Sequence, residues 1–279
     1  MQTIFLVVLI TVTLAIAAMA LWRWSDYRAD RRARARLIAT QPAHPPLFDR
    51  PMLAGLPEPA RRYFGFCIAP GTPLYTVANI SMSGRFIMGT ASAPLEMTMF
   101  ARQTLATPTG SVWAMRANRG VLHLSGSDSH NWTRFWLMEL LPVARFGGTP
   151  DHARSAFGRF CAEALFWTPA ALLPGADICW QAVNRNTARV HITQGDLSQS
   201  VDLEVDDAGQ PVTVSFLRWS NANSEKQYRL QPFGGTLSAF RTFDGFTLPT
   251  RIEAGNHFGT EDYFPFFLAD VSKIEFPHS

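Results

Sequence analysis

The chain has 279 residues, 47% of them hydrophobic and 17% charged, with 21 phenylalanines and 8 tryptophans, which excludes a disordered chain and allows one substantial core. Its formal net charge of +3 arises in one place: six arginines (Arg23, Arg28, Arg31, Arg32, Arg34, Arg36) stand within fourteen residues, and the remainder is slightly acidic without them. The main domain is therefore not expected to bind nucleic acid, and anionic lipid headgroups are the expected partner of those arginines.

In chain order, Ile4 to Trp22 is a run of nineteen uncharged residues, long enough to cross the hydrocarbon core of a bilayer as a helix. A cleaved signal peptide is the alternative reading. Ala18-Met19-Ala20 resembles a cleavage site, but Met1-Gln2-Thr3 supplies no positive charge and the run is long for a signal peptide. We read residues 1–24 as a retained transmembrane anchor and residues 25–52 as a basic juxtamembrane stretch with a tether containing Pro42, Pro45, Pro46 and Pro51. Residues 53–279 form a single β-rich domain. The positive-inside rule assigns that domain to the cytoplasmic face of a single-pass inner-membrane protein, with a periplasmic orientation as the alternative.

Leu56 to Phe64 is expected to be a short helix, with proline in its first turn and Gly65 closing it. After Pro73 the period changes to two. Leu74–Ser83, Arg85–Met88, Leu95–Gln103, Ser111–Ala117 and Gly120–Leu124 read as short antiparallel strands, separated by turn residues. Trp132 to Phe146 fits either a helix or a strand followed by a hook. The near-continuous apolar stretch Gly158 to Trp180 contains a helix with Phe160, Cys161, Ala164, Leu165 and Trp167 on its buried face, broken by Pro169 and Pro174. Strands resume at Cys179–Val183, Ala188–Thr193, Ser200–Val205, Val212–Trp219, Lys226–Leu230, Thr236–Phe243 and Phe246–Glu253, and Tyr263 to Phe276 supplies the last. The fold class that follows is mainly β (α+β): a curved antiparallel sheet or half-barrel, covered by the central apolar helix and preceded by one transmembrane helix. The odd cysteines Cys67, Cys161 and Cys179 lie in apolar sequence and are expected to be buried thiols.

Three segments carry a resemblance: Leu56-Pro57-Glu58-Pro59-Ala60-Arg61-Arg62-Tyr63 with Ala69-Pro70-Gly71-Thr72-Pro73; Ala162 to Pro174 with Trp180 after it; and Phe243-Asp244-Gly245-Phe246-Thr247-Leu248-Pro249-Thr250-Arg251-Ile252-Glu253. Together they resemble a bacterial single-pass membrane family catalogued only as a domain of unknown function, number 6544, over about residues 53 to 276. That resemblance implies boundaries and no mechanism. The closing hairpin also resembles the curved sheets of lipoprotein carriers such as LolA and LppX, which are periplasmic.

No G-x-S-x-G, glycine-rich phosphate loop or H-E-x-x-H occurs, and the histidines never stand at metal-ligand spacing, so neither a metal nor a cofactor is expected. Asp128, His130 and His152 flank the apolar middle as a candidate acid-base cluster. Glu163 is the principal candidate, a carboxylate on an otherwise apolar helix. It is expected either to bind ligand together with Phe166, Trp167 and Trp180, or to form a structural ion pair with Arg159 or Arg62. The expected function is a membrane-anchored, non-catalytic module for a lipid or other apolar ligand. A structural or protein-interaction domain of the cell envelope is the alternative, and an enzyme using Glu163 as general acid or base is the third.

Overall fold

The computed structural model describes residues 1–277. Thirteen strands form one antiparallel sheet in the order β6-β5-β4-β3-β2-β1-β13-β12-β11-β10-β9-β8-β7. The first meander comprises β1 (Val77–Thr90), β2 (Ala93–Ala106), β3 (Gly110–Arg119), β4 (Leu122–Ser129), β5 (Trp132–Leu137) and β6 (Leu141–Gly147). The second comprises β7 (Ile178–Ala182), β8 (Thr187–Gln194), β9 (Leu197–Val205), β10 (Pro211–Ser220), β11 (Arg229–Phe243), β12 (Phe246–Asn256) and β13 (Phe264–Glu275). The two meanders join where β13 pairs with β1. Hairpins connect neighbouring strands cheaply, so the sheet needs one long crossover, from edge strand β6 to edge strand β7. A helix makes it, which is why the longest apolar segment of the domain sits at its middle.

That helix, α3 (Pro150–Trp167), crosses the concave face of the sheet against β9, β10 and β12, and touches β2 and β3. It begins earlier than the apolar periodicity suggests, because Thr149 caps it by accepting from the backbone of His152 at 3.2 Å, with Pro150 in its first turn. Gly158 sets how closely it approaches. A Cβ there would lie 2.6 Å from Gln199 Oε1 and 3.2 Å from the Phe216 ring. Phe157, Phe160, Cys161, Leu165 and Trp167 are buried in one core cluster with the inward-facing residues of the strands. The short helix α2 (Glu58–Cys67) closes one end, and its Tyr63 hydroxyl donates to the Leu165 carbonyl at 2.8 Å.

Several expectations are resolved or corrected. Trp132 to Phe146 is the hairpin β5–β6, turned by Met138 and Glu139, whose backbones both take the left-handed conformation at positive φ. Lys226–Leu230 and Thr236–Phe243 contribute to one long strand, β11, whose glycine pair interrupts the sequence pattern without breaking the pairing. Cys67 and Cys161 are buried, but Cys179 is exposed, because β7 is the sheet edge.

The largest correction concerns the expected tether. One continuous helix, α1 (Gln2–Ile38), runs through both the apolar segment and the arginine-rich stretch. Residues 4–22 are almost wholly exposed, whereas Arg23, Asp26, Asp30 and Leu37 are buried against the outer, convex face of the sheet. Asp26 accepts from the Trp136 indole at 2.9 Å and forms ion pairs with Arg145 at 2.6 Å and Arg134 at 3.1 Å. Trp22 packs edge-on to Trp136, with ring centroids 5.5 Å apart. Further along, Asp30 accepts from Ser127, and Leu37 joins Val77, Ala106 and Val112 in a small outer cluster. Gln41 then bonds the backbone of Thr76 and Val77. Two aspartates among the arginines, spaced four apart, put acceptors on the helix face that meets the sheet.

This docking also changes the reading of the arginines. Arg23 pairs with Glu139 at 3.0 Å and donates to Ser125, and Arg34 donates to the Arg102 carbonyl, so neither is free for a headgroup. Arg28 lies over the Trp24 ring. Burial alone would push the Glu139 carboxyl up, but hydrogen bonds from Tyr27, His123 and Arg23 hold it down at about 2.

Candidate functional site

Between α3 and the inner face of the sheet lies a cavity of about 220 Å³. Its walls are mostly aromatic. Phe86, Trp113, Phe135, Phe216, Phe233 and Phe267 face it from the sheet, and Phe166 and Trp167 from the helix. The Trp113 ring stands within 6.4 Å of three of them, Phe86, Phe135 and Phe267, so this wall is a continuous aromatic surface. Gly234 and Gly235 of β11 also line it, and a strand without side chains at those positions keeps its volume open.

The polar side of the cavity is an ionic cluster. Arg159 and Glu163, one turn apart on α3, pair at 3.3 Å, and the guanidinium of Arg159 also donates to Asp128 of β4. Gln103 of β2 donates to the other oxygen of Glu163. Asp128 additionally accepts from Thr133, whose hydroxyl lies 3.1 Å from His152 Nε2. Burial tends to discharge Arg159, but Asp128 and Glu163 outweigh it and push that guanidinium up. For Glu163 burial wins: its carboxyl is raised, with Arg159 and Gln103 only partly offsetting the loss of water.

Arg218 of β10 also lines the cavity and differs from Arg159. Among the described residues no acceptor lies within hydrogen-bond or ion-pair distance of it. It stands over the Phe233 ring at 5.0 Å. Burial and the neighbouring charge of Arg159 pull its pKa down to about 10, against the more distant attraction of Asp128 and Glu163.

Of the residues singled out in the sequence, Glu163, Phe166 and Trp167 line this cavity, and Arg159 and Glu163 pair. Trp180 does not reach it. It packs tilted against Tyr63 and edge-on to Phe64 of α2, and its indole donates to the Leu172 carbonyl at 2.9 Å, because β7 emerges at the far edge of the sheet. Arg62 is not a partner of Glu163 either. It pairs with Glu58 one turn before it at 2.7 Å and donates to the Asp206 and Arg185 carbonyls, which staples α2 to the β9–β10 and β7–β8 turns. Of the three residues flanking the apolar middle, Asp128 and His152 approach to 4.0 Å, and His130 lies beside His152 through its backbone while its ring contacts Asn131. Gln103 and Arg218 were missed by sequence reading. Their signal was parity: Met97, Met99 and Ala101, like Val214 and Phe216, set the inward register in which each is the next residue.

The raised Glu163 carboxyl predicts a pH dependence. A folded-state pKa above the unfolded value of about 4.5 means a contribution to stability that is full below that value and is lost as pH rises through the folded pKa. Glu163→Gln keeps the hydrogen bond to Gln103 and removes the titration. The urea midpoint of the wild type should therefore fall relative to that of the variant as pH is raised from 4 toward neutrality. Parallel profiles would contradict the assignment.

Comparison with known proteins gives a family and a set of similar folds. Residues 46–268 match a family model described as a family of unknown function, DUF6544. No curated protein matches the chain. Among solved structures, a LolA superfamily protein from Nitrosomonas europaea is similar at 13% identity and a TM-score of 0.37, covering 78% of this chain and 90% of that one. A putative outer membrane lipoprotein-sorting protein domain from Vibrio parahaemolyticus is similar at 12% identity and a TM-score of 0.38, covering 78% and 89%. A DUF1329 family protein from Desulfovibrio piger is similar at 10% identity and a TM-score of 0.39, covering 78% and 90%.

Proposed function

This chain belongs to the family of unknown function DUF6544, and because that membership assigns no activity, we propose from the geometry a membrane-anchored, non-catalytic module that binds an apolar ligand. The observation that carries the reading is the cavity under α3. At about 220 Å³ it exceeds an engineered apolar cavity of roughly 150 Å³ that stays dry and takes up benzene. It falls short of the roughly 300–1,000 Å³ of drug-sized ligand sites. A single acyl chain or a small ring system suits it, and a whole two-chain lipid does not.

The anchor is residues 4–22. The one helix among the described residues long and apolar enough to cross a membrane is α1, and its apolar portion makes no use of the protein interior. Its docked half supports a reading of which end of the sheet meets the bilayer. Ser125 and Ser127 of β4 meet Arg23 and Asp30 of α1 in the same order, so β4 runs away from the apolar segment alongside the helix. The β3–β4 and β5–β6 turns then lie at the membrane end, where Val121 is 93% and Met138 54% exposed, at the level suited to the interface. The arginine excess beyond Trp22 favours the cytoplasmic side.

A neutral fluorescent hydrocarbon amine, N-phenyl-1-naphthylamine, tests the cavity. Ala162 is buried and lines it, so Ala162→Phe fills the space from the helix side. Wild-type protein should bind the probe in a saturable way, and the variant, with unfolding temperature within a few degrees of wild type, should lose at least about tenfold in affinity. Equal binding by both would remove the cavity from the account.

A further inference from the structure

The unpartnered polar atoms of the cavity are all of one kind. Among the described residues that line it, the buried side-chain nitrogens without a hydrogen-bond acceptor are Arg159 Nε and Nη2, Trp167 Nε1 and Arg218 Nε, and every one is a donor. Arg159 Nε at least faces Glu163 at 3.3 Å. The acceptors nearby are committed: Asp128 to Arg159 and Thr133, Glu163 to Gln103 and Arg159. Buried N–H groups are rarely left without a partner, and a buried cation without a counter-ion is costlier still. Water can satisfy a donor but does not neutralise a charge. Asp128 and Glu163 balance the two guanidinium charges overall but direct their contacts at Arg159, so the Arg218 guanidinium has no anion within ion-pair distance and its donors are left to take one.

We propose that the ligand is an anionic amphiphile, and that its carboxylate or phosphate oxygens pair with Arg218 and accept from Arg159 and Trp167, while its apolar portion lies along Phe86, Trp113 and Phe267. This rests on the reading of the cavity as a ligand site and adds the chemistry of the head. A planar guanidinium presents its donors in a fork that matches carboxylate and phosphate oxygens. The cation lies over the face of Phe233, which holds it in place and leaves its edge for the anion. The ring of aromatic residues excludes water from the pair, which strengthens it.

The test is competition against the neutral probe by decanoate, decyl phosphate and decanol at neutral pH, with wild-type protein, Arg218→Met and Arg218→Lys. In the wild type at least one anion should compete at least about tenfold more strongly than decanol. Whichever of decanoate and decyl phosphate wins names the head. Arg218→Met should abolish the preference, so that within this variant the anions compete no better than decanol, while saturable binding of the neutral probe shows that a cavity remains. Arg218→Lys keeps the charge and should recover part of the difference. Equal competition by anion and alcohol in the wild type overturns the assignment of the head and leaves the apolar site standing. Failure of all three to displace the probe overturns both.

Discussion

Replacing Asp26 by alanine should detach the arginine-rich half of α1 from the sheet. Its carboxylate is buried and is the shared acceptor of Arg134, Trp136 and Arg145, so its loss leaves two guanidinium groups and an indole facing an apolar contact without a counter-ion. Breaking a buried ionic group by removing one partner costs about 3–5 kcal/mol, and here one residue serves three donors. The remaining ties are individually weaker; among them are the Asp30–Ser127 bond, the contacts of Arg23 with Glu139 and Ser125, the small cluster at Leu37 and the Gln41 bonds to the backbone. Trypsin reads the outcome, because Arg31 and Arg32 lie on the docked half of the helix. Cleavage there should accelerate strongly in Asp26→Ala relative to wild type, while β-sheet circular dichroism is retained. Cleavage at the wild-type rate would mean that the remaining contacts hold the helix without Asp26.

The two cavity arginines should respond to substitution with opposite signs. Arg159→Ala removes the partner of both Asp128 and Glu163, leaving two buried carboxylates with only Thr133 and Gln103 as neutral donors. A loss of about 3–5 kcal/mol in urea unfolding is expected. Arg218→Met removes a cation whose charge burial and the neighbouring Arg159 disfavour, pulling its pKa down to about 10, and replaces it with an apolar chain of similar reach. The ligand-free protein should gain roughly 1 kcal/mol. A protein that keeps a destabilising charge in a cavity is trading stability for a function of that charge. Losses of similar size in both variants would mean that Arg218 is part of the structural cluster and not a counter-ion in waiting.

Much of the fold could be read from alternation and turn chemistry. The strands from Leu95 to Gln103 and from Phe246 to Glu253 alternate plainly, and the Asp244-Gly245 turn lies where β11 meets β12. The crossover helix was visible from its apolar face, though its first two turns were not, since Asp151, Arg154 and Ser155 interrupt the pattern before Thr149 and Pro150 are recognised as its cap. The docked half of α1 was misread because arginine density suggests a solvated stretch. Only the positions of Asp26 and Asp30 relative to a distant hairpin reveal a buried face. The site divides in the same way. Glu163 and Arg159 are four residues apart on one helix, a spacing that sequence displays directly. Asp128, Gln103 and Arg218 come from three strands that meet the helix only through the curvature of the sheet; strand parity shows that Gln103 and Arg218 face inward, but no local pattern shows that the three converge on the helix. Trp180 failed as a site residue because adjacency in sequence to the helix did not survive the turn into an edge strand.

The central claim is that the space under α3 holds a ligand in the native protein. Native mass spectrometry of the full chain, purified in mild detergent and stripped of it in the gas phase, tests this most directly. The account predicts wild-type protein carrying one small amphiphile of constant mass, detected as an anion on extraction, and Ala162→Phe carrying none. Identical bare masses for the two proteins would contradict it.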